Sequence, residues 1–471
     1  MNEIEKRREF ALAGSGEEKI AAHHAKGRLT VRERINILLD QNSFHEIGRI
    51  AGGSEKDENG KLISFTPGNF IIGTGFVDGR PIIACGEDFT MSGGSPNLAG
   101  LRKSIYTETL ALELEQPLVR LHEGAGGSPA GADNRRKKGA KSAGPTVYGT
   151  PRFSTVAKCL QTIPVCTAAM GSVAGLPASR FVASHFAVMV KSAYVLTAGA
   201  TVVTRALGYE TTKEELGGIQ IHDTSGIVDN FAEDEEDAMR QIRTFLSYLP
   251  SNVHSTPPYI PYKTDVNMEE KRAMELNTII PRDRRQTYDM RQLISLIVDH
   301  GSFFEIGTVA FGGTQITGFA RINGHVTGIY ANDNRVLGGA MTADASDKVV
   351  RFMEVCQTFH VPIIALVDEP GFMIGIEAEK AGTIRRGTKA VLTSQTYPYP
   401  WCTLLCRKSY GVAAAAHFAP SNYVLSWPSV ETGTLPVESG IAVAYKRELA
   451  NHPNPEQRRK ELEAQFSKGL K

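Results

Sequence analysis

Cysteine is scarce, with six in 471 residues. None forms a CxxC pair, so neither a disulfide framework nor a paired-thiol motif is supported. Cys402 and Cys406 lie four apart with no second pair or histidine nearby, which favours core thiols over a metal site, and no metal is expected in this chain. An excess of one charge is also missing. With 52 Lys+Arg against 51 Asp+Glu the formal net charge is +1, which offers no broad basic face for nucleic acid or an anionic membrane. Long hydrophobic runs are absent too. Stretches such as VPIIALV (361–367) fall far below the roughly 18 residues of a membrane span, and MNEIEKRREF at the start has no apolar signal core. The expectation is a soluble, cytoplasmic or matrix protein. There is no GxSxG elbow, HExxH or P-loop, and GTGFVDG (73–79) lacks the GxGxxG spacing and reads as a hairpin turn.

Glycine, by contrast, is in surplus: 46 of 471 residues, about 9.8% against a typical ~7%. Glycine sits where backbone turns sharply or approaches a ligand closely. The second positive feature is an internal repeat of long period. RERINILLDQNSFHEIG (32–48) answers RQLISLIVDHGSFFEIG (291–307), and aligning Asp40 with Asp299 sets the spacing at 299 − 40 = 259. Further on the spacing settles at 245: the closing glycines of TGFVDG (74–79) and TGFARING (317–324), Gly93-Gly94 against Gly338-Gly339, and PLVRLHEGAGG (117–127) against PIIALVDEPGF (362–372). The difference is attributed to a longer loop around 52–66. A third match, at spacing 236, sets IPVCTAAMGSVAG (163–175) against YPWCTLLCRKSYGVA (399–413). Strand, turn and helix alternate in the same order in both halves, with helices expected near 98–115 and 345–359, which predicts α/β domains. LPSNVHSTPPYIPYKTDV (249–266) reads as an extended linker, placing the domains at 1–265 and 266–471.

Gly-rich turns close the buried strands. GSVAGLPAS (171–179) and SYGVAAAAH (409–417) each set a glycine between an apolar strand and small residues that open a helix. The first N–H groups of a helix lack intrahelical acceptors, and two that converge can hold an enolate or tetrahedral oxyanion. Glu123 stands opposite Asp368 in the repeat; an acid/base pair and simple capping of the following turn are both open, with capping favoured. Arg135, Arg136, Lys137, Lys138 and Lys141 form a basic run, either a solvated loop or an anion site for a substrate phosphate.

GRLTVRERINILLDQNSFHEIG (27–48), ELGGIQIHDTSGIVDNFAEDE (215–235) and DEPGFMIGIEAEKAGTIRRGTK (368–389), collinear from about 20 to about 465, resemble the carboxyltransferase (β) subunits of biotin-dependent acyl-CoA carboxylases, the propionyl-CoA and methylcrotonyl-CoA carboxylase type. The resemblance implies two tandem crotonase-like (ClpP/crotonase) domains. It implies an active site between the first domain of one chain and the second of another, hence a homo-oligomer, a dimer at least, with a hexamer among the options. The first domain is expected to hold acyl-CoA and the second biotin, which arrives as carboxybiotin on a carrier protein.

The same resemblance places one oxyanion hole at the N–H groups of Gly175 and Leu176 and the other at Val412 and Ala413, with Gly126, Gly127, Gly371, Phe372, Ala414, Ala415, Arg135 and Arg136 near the substrates. Biotin itself can take the α-proton, so no side-chain triad is required. The family usually pairs glycines where this chain has Gly175-Leu176 and Gly411-Val412. Ala414 and Ala415 stand where the family carries bulkier or polar residues, which implies a roomier apolar pocket. The last domain also looks shortened after EAQFSKGLK (463–471). With no Met-Lys-Met sequence and no ATP-binding signature, biotin carboxylase and biotin carrier are expected as separate partners. A CoA-thioester decarboxylase using the same site, or a non-catalytic subunit of a carboxylase complex, are the alternatives.

Overall fold

The computed structural model describes residues 2–126, 152–283 and 285–467, and the chain divides into two compact units, Met1–Thr256 and Pro257–Lys471. In unit one, the strands are β1 (His45–Glu46), β2 (Gly52–Lys56), β3 (Leu62–Pro67), β4 (Phe70–Val77), β5 (Arg80–Glu87), β6 (Leu118–Ala125), β7 (Val165–Ala174), β8 (Phe186–Val190), β9 (Tyr194–Leu196) and β10 (Asn230–Ala232). The main sheet runs β1-β4-β5-β6-β7-β8-β10, with β9 beside the far end of β7. β4 and β5 form an antiparallel hairpin, and β5 through β8 are parallel.

Unit two has β11 (Phe304–Ile306), β12 (Gln315–Ile322), β13 (His325–Asn332), β14 (Ile363–Glu369), β15 (Trp401–Tyr410), β16 (Asn422–Ser426) and β17 (Glu431–Gly433). Its sheet runs β11-β12-β13-β14-β15-β16, with β17 beside the far end of β15. The two sheets therefore share one order, each with its central strands almost wholly buried, as parallel strands covered on both faces require. Leu98–Leu114 and Ala343–Thr358 are the equivalent crossover helices. Asn97 caps the first through the Gly100 N–H, and Thr342 caps the second through the Ala345 N–H.

The repeated residues at the start of each half act as a clamp. Arg32 grips Glu46 with two nitrogens at 3.2 and 3.0 Å, and Arg291 grips Glu305 at 2.7 and 2.6 Å. Asp40 accepts hydrogen bonds from the Asp78 and Gly79 N–H groups, at 3.0 and 2.8 Å. Asp299 does the same for Asn323 and Gly324, both at 2.7 Å. All four turn residues have positive φ, at 50°, 75°, 49° and 82°, the conformation of the two-residue turn that matches strand twist. Ser43 Oγ accepts from the Phe76 N–H at 3.1 Å, and Ser302 Oγ from the Arg321 N–H at 3.0 Å. The motif thus recurs because the same helix must be pinned to the same hairpin twice.

Two expectations change in detail. The extra residues around 52–66 are not an open loop but the antiparallel pair β2–β3, and Phe65 is buried there against the ring-filling gap at Gly52. The Pro-rich stretch is extended but not free. Ile260 N–H donates to Gly324 O, Pro258 O accepts from Arg321, and Tyr259 packs on His325 with ring centroids 4.7 Å apart.

Replacing Asp299 with alanine leaves the buried Gly324 N–H without its acceptor, at a cost of about 1–3 kcal/mol. We expect Asp299→Ala to lower the urea midpoint of the full chain clearly, and Asp40→Ala, at the more exposed turn, to lower it less.

Candidate functional site

Each unit ends a central strand in the same way. β7 runs into Gly175, whose φ of 66° only glycine adopts cheaply, and β15 runs into Gly411, with φ of 64°. The Gly175 N–H donates to Leu196 O at 3.2 Å, and the Gly411 N–H donates to Gly433 O at 3.0 Å. This corrects one expected donor: the Gly175 N–H is already spent on β9, so of that pair Leu176 supplies the available N–H. The next residue, Pro177, has no N–H. In unit two the Val412 and Ala413 N–H groups have no acceptor among the described residues.

The replaced glycines carry no backbone strain. Leu176 is the first residue of the Leu176–Val182 helix, and Val412 has φ −71° and ψ −28°, both ordinary right-handed conformations for residues with a Cβ. The expected small-residue helix after Gly411 is a 3-10 turn over Ala413–His417. Its carbonyls are drawn sideways, with Ala415 O accepting from Gln395 Nε2 at 3.3 Å and Ser394 Oγ at 3.4 Å. His417 is fully buried and stacks on Tyr330, centroids 4.3 Å apart. Burial pushes its ring down to about 3, so it stays neutral.

Gly126 lies against the first turn: a Cβ there would stand 2.8 Å from Leu176 N and 3.1 Å from Ala174 O. Gly371, φ 127°, donates its N–H to Glu369 Oε1 at 2.9 Å. The Phe372 ring fills the space over Gly387, where any Cβ would come within 2.2 Å of it. Ala414 is buried and Ala415 half-buried. A cavity of about 400 Å³ in unit two is walled instead by residues including Asn334, Pro370, Arg407 and Tyr410, so neither alanine opens it. Gly127, Arg135 and Arg136, with the rest of the basic run, lie outside the described residues.

Glu123 and Asp368 occupy equivalent irregularities, where the strand pairing slips between His122 and Gly124 and between Val367 and Glu369. Both are fully buried. Glu123 pairs with Arg28 at 2.9 Å and Arg34 at 2.7 Å, and Gly171 leaves room for its carboxylate. Asp368 pairs with Arg407, at 2.9 Å. Arg407 occupies the position equivalent to Gly171, as 407 − 171 = 236. Guanidinium groups occupy both carboxylates, which assigns them to holding strand ends rather than to proton transfer.

The floors of the two sites then diverge in a way no repeat alignment shows. In unit one Glu87 reaches beside Gly124, and His122 Nδ1 lies 3.1 Å from its Oε2. Burial raises the Glu87 carboxyl, but His122 and Arg180 outweigh that and hold it below its usual range. Behind it, Arg180 donates to Glu108 Oε1 at 3.0 and 2.6 Å, and Arg120 sits 3.3 Å from the same oxygen. In unit two the carboxyl comes from the neighbouring strand: Glu369, at the place of Gly124, accepts from Asn332 Nδ2, at the place of Glu87, at 3.0 Å. Burial raises Glu369 to about 8 against the pull of Gly371 and Asn332, so it is mostly protonated at neutral pH.

Comparison with known proteins fits this geometry. A family profile described as carboxyl transferase domain matches residues 22–471. The propionyl-CoA carboxylase carboxyltransferase subunit of Haloferax mediterranei is 34% identical, covering 98% of this chain and 88% of its own. The methylmalonyl-CoA decarboxylase subunit alpha of Veillonella parvula is 32% identical over 93% of this chain and 84% of its own. The transcarboxylase 12S structure, a hexamer solved with methylmalonyl-coenzyme A and methylmalonic acid bound, superposes with a TM-score of 0.84 at 29% identity, covering 99% of this chain and 88% of that one.

A carboxyl raised in the folded state lends stability below its unfolded value of 4.5 that is lost as pH rises through about 8. Glu369→Gln, which cannot ionise, should therefore show a flatter decline of stability across that window than the wild type, as read from thermal unfolding at a series of pH values.

Proposed function

The chain belongs to the carboxyl transferase family, and we propose that it is the carboxyltransferase subunit of an acyl-CoA carboxylase, moving CO2 from carboxybiotin on a separate carrier protein to the α (or vinylogous γ) carbon of an acyl-CoA. The observation that carries this reading is the pair of strand-end turns, each presenting unsatisfied backbone N–H beyond a tethered glycine. Such donors act where negative charge develops and need no reorganisation during reaction. In this reading Leu176 N–H holds the thioester enolate oxygen in unit one. Val412 and Ala413 N–H groups hold the charge left on the donor when its carboxyl departs. Gly126 permits the close approach at Leu176, while Gly371 and Phe372 shape the equivalent turn in unit two. The proton leaves to the donor, so Glu123 and Asp368 stay in their ion pairs.

A biotin carboxylase and a biotin carrier are the proposed partners, and the 12S hexamer supports a homo-oligomer. Among the described residues no helix is long and apolar enough to cross a membrane, and a cytoplasmic site of action belongs with the proposal.

The decarboxylase relative favours a second reading, in which the same turns stabilise the enolate formed when CO2 leaves a malonyl-type thioester. Assaying malonyl-type CoA esters with and without biotin separates the two: turnover indifferent to biotin overturns carboxyl transfer. Proline tests the hole directly, because Val412 already has the φ a proline ring requires and loses only its N–H. Val412→Pro is expected to lower kcat of the reconstituted complex by about 10²–10³-fold. An unchanged rate would show that this N–H is not catalytic.

A further inference from the structure

Five polar side chains lie fully buried in the core of unit two: Gln315, Tyr330, Asn332, Glu369 and His417. Unit one has Phe70, Cys85, Glu87, Gly124 and Phe181 at the equivalent places, as 315 − 70 = 245 for the first four pairs and 417 − 181 = 236 for the last. Glu369 is the hub of the group. Its Oε1 accepts from the Gly371 N–H at 2.9 Å and its Oε2 from Asn332 Nδ2 at 3.0 Å. Asn332 Nδ2 also donates to Gly339 O at 3.0 Å, to which Gln315 Nε2 donates at 3.2 Å. Asn332 Oδ1 accepts from the Asp368 N–H at 3.0 Å. One carboxyl thereby joins the turn at Gly371 to the turn at Gly338-Gly339.

The groups around that carboxyl offer it hydrogen bonds and no cation. Burial acts on it most and pushes it up to about 8; the Gly371 and Met341 N–H groups and Asn332 pull it down, and Asp368 adds a like charge. Ser409 of β15 stands opposite it in the sheet, Tyr330 of β13 lies within its field, and His417 stacks on Tyr330 with centroids 4.3 Å apart. Burial pushes the Tyr330 hydroxyl up and the His417 ring down to about 3, so both stay neutral. Arg407 is taken by Asp368 at 2.9 Å and Gln286 O at 2.6 Å. Ionised, Glu369 is a buried charge without a counter-ion, and movement toward water relieves it. Its bond to Gly371 moves with it.

We propose that Glu369 is a positioning residue for the reaction of unit two: protonated, it pins the Gly371-Phe372 turn to the core, and ionised, it releases that turn. The inference rests on the reading of unit two as the half that holds the carboxyl donor. Two further bonds hold the turn, the Met341 N–H donating to Gly371 O at 3.0 Å and the Met373 N–H donating to Met341 O at 2.9 Å. Neither fixes the Gly371 N–H, and glycine at φ 127° has no side chain to pack. Pro370 of this turn and Tyr410, the residue before Gly411, wall the same cavity of about 400 Å³. A shift of the turn therefore reaches the place from which the Val412 and Ala413 N–H groups emerge. Gly124 carries no such group, so the response belongs to unit two alone.

Two measurements on the full-length chain test this. Amide hydrogen exchange of the wild type, corrected for its intrinsic rise with pH, should show Gly371 losing about ten-fold in protection between about pH 7 and pH 9, since about a tenth of a group stays protonated one pH unit above its pKa. Carboxyl transfer from malonyl-CoA or methylmalonyl-CoA to free biotin should lose about the same factor in kcat over that range, with KM for the thioester unchanged. Folded Glu369→Gln, neutral throughout, should show kcat varying by less than about two-fold over that range. Unchanged protection at Gly371 overturns the proposal whether or not the variant folds. So does a wild-type kcat that stays flat while protection falls, a decline that persists in folded Glu369→Gln, or a change confined to KM. Absence of biotin-dependent turnover at every pH would instead overturn the carboxyltransferase reading, and the role given to Glu369 with it.

Discussion

One hydrogen bond in each unit governs the geometry of everything around it: the strand-end glycine N–H donating to the short strand alongside, Gly175 to Leu196 O and Gly411 to Gly433 O. The bond holds the glycine at positive φ, and that conformation turns the chain sharply enough to free the next N–H from the sheet ladder. β9 and β17 are only three residues long, and each lies beside the end of a central strand. The slipped pairing opposite Glu123 and Asp368 gives β7 and β15 their bend toward these short strands. Buried ion pairs close that irregularity, because an unpaired carboxylate there would be too costly to keep ionised.

The two units keep this backbone and exchange its electrostatics. Glu87 answers Asn332, Gly124 answers Glu369, Gly171 answers Arg407 and Arg180 answers Ala416. Unit one therefore has an ionised carboxylate beside Gly124, backed by arginines, whereas unit two has a carboxyl at the same place that burial keeps mostly protonated. A parallel strand pair makes the exchange possible. Side chains on neighbouring strands project into one space, so either strand can supply the group that fills it. Gly124 leaves the space to Glu87, and Asn332 shares it with Glu369.

Local patterns carried the parts of this organisation that short-range chemistry demands. Asp40 and Asp299, Ser43 and Ser302, and Arg32 and Arg291 were visible as a repeat, since the aspartates hold the hairpin turn with positive φ, the serines hold a hairpin strand, and the arginines tie the helix to the glutamate of β1 or β11. The buried lysines Lys103 and Lys348 belong to the same pattern and passed unnoticed, although they too lie 245 apart. Each packs its chain against the repeated glycine, Gly48 or Gly307. Their spacing was a readable signal hidden by the change in offset across β2–β3.

By itself the sequence determined the α/β class, the two like halves and the glycines at the strand ends, because turn chemistry and apolar strands depend on residues close together in the chain. It also marked Leu176, Val412 and Ala413 as places where backbone donors emerge. Only the tertiary structure decided that the Gly175 N–H is occupied, that Glu123 and Asp368 are locked in ion pairs, and that Arg120, Arg152 and Arg180 share the one carboxylate of Glu108. Those outcomes depend on which distant strand or helix supplies the partner, as when Arg34 or Arg407 reaches a carboxylate, and on how much water the fold excludes around it. Neither quantity is written in the local order of residues.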